Sequence, residues 1–172
     1  MALILSILFY AAVSIWVAVL VHESGHYLAG LIVGVPARRM RVRLQRPPHV
    51  ALWDGQAWLG PDDTRYVEAF RKYSPAAPAA WFFVGGGFLF ETALALGVVW
   101  VLAGVATELA AVVLLATTSL LAVYLISDVV GSLRMSRPVG DLSAMLKISR
   151  ASTLVLLVGM LGLRVGAVFF LL

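Results

Sequence analysis

The sequence contains no cysteine among its 172 residues, and only 13% of its residues are Asp, Glu, Lys or Arg. Without cysteine there can be no disulfide and no thiolate metal site, so any metal must be bound by His and carboxylate groups. The scarcity of charge excludes an ordinary water-soluble domain, which needs more polar surface to cover its core. With 62% hydrophobic residues and a mean hydropathy of +0.97, the composition indicates an integral membrane protein.

The apolar residues are concentrated in four continuous runs, each about as long as a helix that crosses a bilayer. The four predicted spans cover about 2–35, 79–103, 109–130 and 153–172. A β-barrel is disfavoured because barrel strands alternate apolar and polar residues. No sequence repeat or low-complexity linker divides the chain. The sequence therefore predicts an all-α polytopic membrane protein, with one domain over residues 1–172.

The polar loop at 36–78, between the first two spans, has the signals of a small sheet. Basic Arg39, Arg41 and Arg43 alternate with apolar residues, which is strand periodicity. The dipeptide Asp54-Gly55 lies between two short runs rich in apolar residues and predicts a hairpin turn. We therefore expect a small β-hairpin or sheet at the membrane surface.

Basic residues report the orientation of a membrane protein, because short loops rich in Lys and Arg stay in the cytoplasm. Of the 13 Lys and Arg residues, 12 lie in the intervals 36–79 and 134–150, Arg46 among them. Both intervals are thus predicted to be cytoplasmic, and both termini non-cytoplasmic. The remaining basic residue, Arg164, is expected to snorkel outward or to pair with a carboxylate such as Glu108.

The net charge of +4 and the pI near 9.9 are explained by these loops, and no nucleic-acid-binding motif or nucleic-acid partner is expected. The first apolar run has no basic start and no clear cleavage site, so we interpret it as a retained helix. The lack of a targeting segment and of cysteine fits a prokaryotic inner membrane.

One short segment carries residue types that are costly inside a membrane helix. On a helix, His22 and His26 lie on one face at i and i+4, where two neutral imidazoles can bind one Zn²⁺ ion. Glu23, next to the first histidine, can act as general base toward a water that the metal activates. The spacing predicts a hydrolytic zinc site in the first span.

A catalytic zinc usually takes three protein ligands, and the residues alone leave the third open. Glu91 lies inside the second span, Asp128 near the end of the third span and Asp141 in the polar interval that follows. Asp141 would otherwise be interpreted as a helix cap. His49, in the loop, is a more remote candidate.

The segment His22-Glu23-Ser24-Gly25-His26, within an apolar helix, resembles the HExGH motif of the site-2 protease family of intramembrane zinc metalloproteases. Arg137-Pro138-Val139-Gly140-Asp141 resembles the family's later Asp motif, and this resemblance implies Asp141 as third ligand. Asp128 stands where the family often has Asn. Gly87-Phe88-Leu89-Phe90-Glu91 occupies the place of the family's Gly-Pro-x-x-Asn motif, with Phe for Pro and Glu for Asn. Leu142 replaces the usual Gly after the Asp.

The resemblance implies an intramembrane endopeptidase with one Zn²⁺ ion, embedded in the lipid bilayer, that cuts membrane-anchored protein substrates near the cytoplasmic face. It also implies that the basic strand at Arg41 and Arg43 adds to a substrate segment, although these arginines can equally bind anionic lipid headgroups. The residues expected to contact substrate are Gly87, Glu91, Asp128, Arg41 and Arg43. The alternatives are a non-proteolytic scaffold of the same fold and a metal-handling membrane protein. The sequence assigns no oligomeric state.

Overall fold

A computed structural model of the chain describes residues 2–45 and 47–172, so Arg46 lies outside the described residues. The helices are α1 (Ala2–Ile32), α2 (Tyr66–Arg71), α3 (Ala77–Ala103), α4 (Thr107–Met135), α5 (Asp141–Ile148) and α6 (Arg150–Leu171). Among the described residues, α1, α3, α4 and α6 are long and apolar enough to cross a membrane. The protein is therefore a mostly helical integral membrane protein, as its composition predicts.

The first helix is longer than a bilayer is thick. With 31 residues, α1 measures roughly 46 Å at about 1.5 Å per residue, against a hydrocarbon core of about 30 Å. It ends at Ile32, two residues before Gly34, whose φ of +95° is the left-handed conformation that glycine adopts without strain. The amide of Gly34 donates to Leu31, and that of Val35 to Gly30, which together satisfy carbonyls of the last helical turn.

The chain forms two compact units, Val19–Phe90 and, separately, the residues up to Ala18 together with Glu91–Leu172. Helices α1 and α3 each contribute residues to both units. The prediction of a single domain over 1–172 stays a prediction.

A three-stranded antiparallel sheet lies in the Val19–Phe90 unit, with strand order β1-β2-β3. The strands are β1 (Met40–Arg43), β2 (His49–Trp53) and β3 (Trp58–Leu59). Asp54 shapes the turn between β2 and β3, because its Oδ1 accepts hydrogen bonds of 2.7 Å from the amides of Gln56 and Ala57. Gly55 supplies the positive φ, +114°. The predicted hairpin and its turn are confirmed.

This sheet packs on a hydrophobic core of its own within the Val19–Phe90 unit. The Phe70 ring of α2 stacks on the Phe83 ring of α3, with centroids 4.8 Å apart. The Tyr66 hydroxyl donates to the Val50 carbonyl at 2.7 Å and ties α2 to β2. The buried core residues are Val35, Met40, Val50, Leu52, Leu59, Ala69, Phe70 and Phe83.

In the other unit, α5 contacts both α4 and α6. Helix α4 ends at Met135, the next residue, Ser136, has a left-handed φ of 51°, and a short link leads into α5. Ser149 then caps α6, because its side chain accepts from the amide of Ser152. The short link between α4 and α5 makes Asp141 the first residue of α5.

Candidate metal centre

Two histidines lie one helical turn apart on the same face of α1. The ring centroids of His22 and His26 are 4.9 Å apart and the ring planes meet at 82°. Both side chains are buried, with 4% and 7% of their surface exposed. The i, i+4 spacing thus gives the predicted pair of imidazoles, held in the protein interior.

The hydrogen bond of His26 selects the ring nitrogen that is left for a metal. Nδ1 of His26 lies 3.0 Å from the carbonyl oxygen of Phe83 in α3. Since a carbonyl only accepts, a neutral His26 carries its proton on Nδ1 and keeps the lone pair on Nε2. A backbone carbonyl on the far nitrogen is the usual support of a metal-binding histidine.

A glycine keeps the space next to the two histidine nitrogens open. A Cβ atom placed on Gly87 of α3 would lie 2.6 Å from Nε2 of both His22 and His26. Zinc binds histidine nitrogen at about 2.0–2.1 Å, so that Cβ would compete with an ion held by both rings. The absence of a side chain at Gly87 therefore fits a metal held by this pair.

Gly25 and Gly86 let α1 and α3 approach each other closely within the Val19–Phe90 unit. A Cβ on Gly25 would lie 2.5 Å from the Gly86 carbonyl oxygen, and a Cβ on Gly86 would lie 2.5 Å from the Ala29 side chain. Close approach of backbones through small residues is a common way in which membrane helices pack. Here it brings the Phe83–Gly87 segment of α3 against the histidine pair.

Glu23 follows His22 on α1 and is 6% exposed. A carboxylate in an apolar span is costly unless it has a function or a partner. Its position beside a metal-binding histidine is the one that a general base occupies in helical zinc hydrolase motifs.

The resemblance implies Asp141 as the third ligand beside the histidine pair. Asp141 is partly buried and is the first residue of α5. Two nitrogens and one carboxylate oxygen form a donor set of the type used by catalytic zinc.

No family model, curated protein or solved structure matches the chain. The interpretation of the site therefore depends on its own residues.

The Asp128 side chain, one of the alternative third ligands, has hydrogen-bond partners at both of its oxygens. Oδ1 accepts from the Ser132 hydroxyl and Oδ2 from the Ser143 amide, each at 3.0 Å. Ser143 is the third residue of α5, so Asp128 satisfies one of the amides that a helix start leaves without a helical partner. Asp128 thereby fixes the beginning of α5, where Asp141 lies.

The Glu91 carboxylate, the other alternative ligand in a span, is paired with Arg164 of α6. Nη2 of Arg164 donates to both carboxylate oxygens at 2.9 Å. The two side chains are 4% and 2% exposed. The expectation that Arg164 pairs with a carboxylate is confirmed, but the partner is Glu91 and not Glu108. Snorkelling outward is wrong, because the arginine is buried.

Threonines, which were not predicted from the sequence as functional residues, complete this buried network. Nη1 of Arg164 donates to the hydroxyls of Thr117 at 3.1 Å and Thr118 at 3.2 Å, and Nη2 donates to Thr92 at 3.3 Å. The Arg164–Glu91 pair itself could have been predicted from the sequence. An arginine within an apolar span requires a carboxylate in another span, and Glu91 lies well inside the second span.

The other candidates lie on the sheet. The expectation that His49 lies in a surface loop is wrong, because it is the first residue of β2, where its Nδ1 lies 3.0 Å from the Pro47 carbonyl oxygen. Arg41 places its guanidinium 4.1 Å from the centre of the Trp58 ring, a cation–π contact. Arg43 ends β1, which is an edge strand of the sheet. Substrate contact by Arg41, Arg43, Gly87, Glu91 and Asp128 stays a prediction.

Proposed function

We propose that the protein is an intramembrane zinc endopeptidase of the site-2 protease type. It cuts membrane-anchored proteins near the cytoplasmic face. The observation that carries the proposal is the buried His22–His26 pair facing the side-chain-free position of Gly87, with Glu23 adjacent. A ligand pair alone would serve metal transport equally well, whereas an adjacent buried carboxylate is what hydrolysis requires.

In this proposal, His22, His26 and Asp141 hold one zinc ion, which leaves a position open as catalytic sites do. When bound, zinc supplies Lewis acidity and lowers the pKa of water toward about 7. Zinc accepts nitrogen and carboxylate ligands without thiolate. Because Gly87 has no side chain, the space beside Nε2 of His22 and His26 is open to the ion.

Glu23 is assigned the proton transfers. Its carboxylate takes the proton of the attacking water and delivers it to the amine nitrogen as the peptide bond breaks. A carboxylate excluded from bulk water is suited to this role because its proton is not lost to solvent during the reaction.

The proposal distinguishes residues that contact substrate from residues that position the site. A substrate helix must unwind before hydrolysis, since its amides are already bonded within the helix, and the edge strand β1 with Arg41 and Arg43 can pair with the unwound segment. Glu91 and Asp128 have their carboxylates engaged within the protein, so we assign them to positioning.

Replacing the third ligand tests the metal set. Asp141→Ala is expected to lower the zinc content of the purified protein at least about tenfold, as loss of one of three ligands weakens binding, and to abolish cleavage of a membrane-anchored substrate in liposomes. The exposed Asp62 provides the control: Asp62→Ala is expected to keep both. Full zinc content in Asp141→Ala, measured by elemental analysis, would exclude Asp141 as a ligand.

The basic loops supply the proposed orientation, with both termini on the non-cytoplasmic side of a prokaryotic inner membrane. A reporter enzyme that is active only outside the cytoplasm is expected to be active when fused after Leu172 and inactive when inserted at Asp62. The reverse pattern would place the loop at 36–76 outside and contradict the orientation.

A further inference from the structure

A basic and aromatic pocket lies on the sheet side of the Val19–Phe90 unit. It is an open cavity of about 430 Å³ lined by Arg38, Arg39, Trp53 and Trp58. The tryptophans face each other across the β2–β3 hairpin as a cross-strand pair, with ring centroids 5.4 Å apart. The arginines come from the turn that follows α1.

Arg38 and Arg39 carry charge that no described carboxylate neutralises. Within residues 2–45 and 47–172, no carboxylate forms an ion pair with Arg38 or Arg39. Asp54, which follows Trp53 in the sequence, is bound by Arg65 at 3.2 Å, and Asp63 is bound by the same arginine at 2.9 Å. The amides of Ala57 and Gln56, and to a lesser degree the charge of Arg65, lower the pKa of the Asp54 carboxyl.

A third arginine, Arg41, lies against the aromatic wall of the pocket. The Arg41 guanidinium lies 4.1 Å from the centre of the Trp58 ring, and its buried Nε has no hydrogen-bond partner. Guanidinium groups bind phosphate oxygens through two parallel N–H donors, and tryptophan lies preferentially at the level of lipid headgroups. The pocket thus combines a binding site for a phosphate with a wall suited to the headgroup region.

We propose that this pocket binds the phosphodiester headgroup of an anionic phospholipid, with Arg38 and Arg39 contacting the phosphate and Trp53 and Trp58 contacting the glycerol and upper acyl chain. The lipid, rather than free phosphate, is the expected occupant because the pocket belongs to an integral membrane protein and half of its wall is tryptophan. This proposal does not depend on protease activity.

Calorimetric titration of the full chain in uncharged detergent tests the proposal. The ligands are short-chain phosphatidylglycerol, short-chain phosphatidylcholine and inorganic phosphate, each as a monomer in solution. Phosphatidylglycerol is expected to bind saturably, and Arg38→Gln/Arg39→Gln to weaken it at least about 30-fold, since two charge-assisted contacts are lost. The control Arg71→Gln/Lys72→Gln removes the same charge from exposed positions of α2 and its end, and is expected to change binding less than threefold.

A second variant separates the geometry of the arginines from their charge. Arg38→Lys/Arg39→Lys keeps the charge and loses the planar donor pair, and is expected to weaken binding about tenfold. The proposal is overturned if phosphatidylcholine binds as well as phosphatidylglycerol, if the control pair weakens binding as much as the pocket pair, or if the lysine variant binds like wild type. Inorganic phosphate binding as tightly as the lipid would overturn the lipid assignment.

Discussion

Gly87→Ala is expected to remove the metal from the protein. The new Cβ would lie 2.6 Å from Nε2 of both His22 and His26, which is closer than real carbon–nitrogen contacts. The His26 ring cannot turn away without losing the hydrogen bond between its Nδ1 and the Phe83 carbonyl oxygen. Zinc content is expected to fall to background while the helical circular dichroism is unchanged, since alanine is a better helix former than glycine.

Helix α3 contains a matched control for this substitution. Gly97 has no heavy atom within 4 Å of the place that its Cβ would take. Gly97→Ala is therefore expected to bind zinc like wild type, so a loss in both variants would indicate a general effect on α3. A Gly87→Ala protein with one full equivalent of zinc would contradict the assignment of the metal to the space beside Gly87.

Arg164→Met is expected to lower the free energy of unfolding by about 3–5 kcal/mol. The substitution removes both bonds to the Glu91 carboxylate and leaves it buried without its counter-charge. Thr117 and Thr118 also lose the donor that ties α4 to α6. The measurement is unfolding by an anionic detergent titrated into mixed micelles, followed by circular dichroism.

The partner substitution shows whether this loss comes from the unpaired charge. Glu91→Leu/Arg164→Met removes both charges, and we expect it to recover most of the lost stability, because apolar replacements of buried ion pairs are often neutral. Arg150→Met, at the exposed start of α6, is the control and is expected to change stability by less than about 0.5 kcal/mol. A double variant no more stable than Arg164→Met alone would contradict this explanation.

The helices and the sheet could be predicted because the signals for them are local. Long apolar runs mark α1, α3, α4 and α6, and the turn chemistry of Asp54 and Gly55 marks the hairpin. The sequence extends the first span to residue 35, whereas α1 ends at Ile32, because Gly34 in the left-handed conformation stops the helix before the apolar run does.

The histidine pair was also predictable, since i, i+4 spacing fixes two residues on one helix face. The carboxylates were not, because their roles depend on which helices pack together. Asp128, Asp141 and Glu91 all resemble ligand candidates in the sequence. The structure pairs Glu91 with Arg164 and binds Asp128 to the start of α5, so both of these carboxylates are already engaged within the protein.

Gly87 shows a similar limit. Its place in the segment that resembles the family's Gly-Pro-x-x-Asn motif implies contact with substrate. Only the crossing of α1 and α3 reveals that Gly86 serves the packing while Gly87 leaves the space beside the two Nε2 atoms open.

The central claim, hydrolysis by a zinc site with Glu23 as its base, is tested most directly by Glu23→Gln. Glutamine keeps the size of the side chain and cannot take up the proton, so zinc content should equal that of wild type while cleavage of a membrane-anchored substrate falls at least about 100-fold. Both quantities are measured on one preparation in liposomes. Normal cleavage by Glu23→Gln, or no zinc-dependent cleavage by the wild-type protein, would contradict the account.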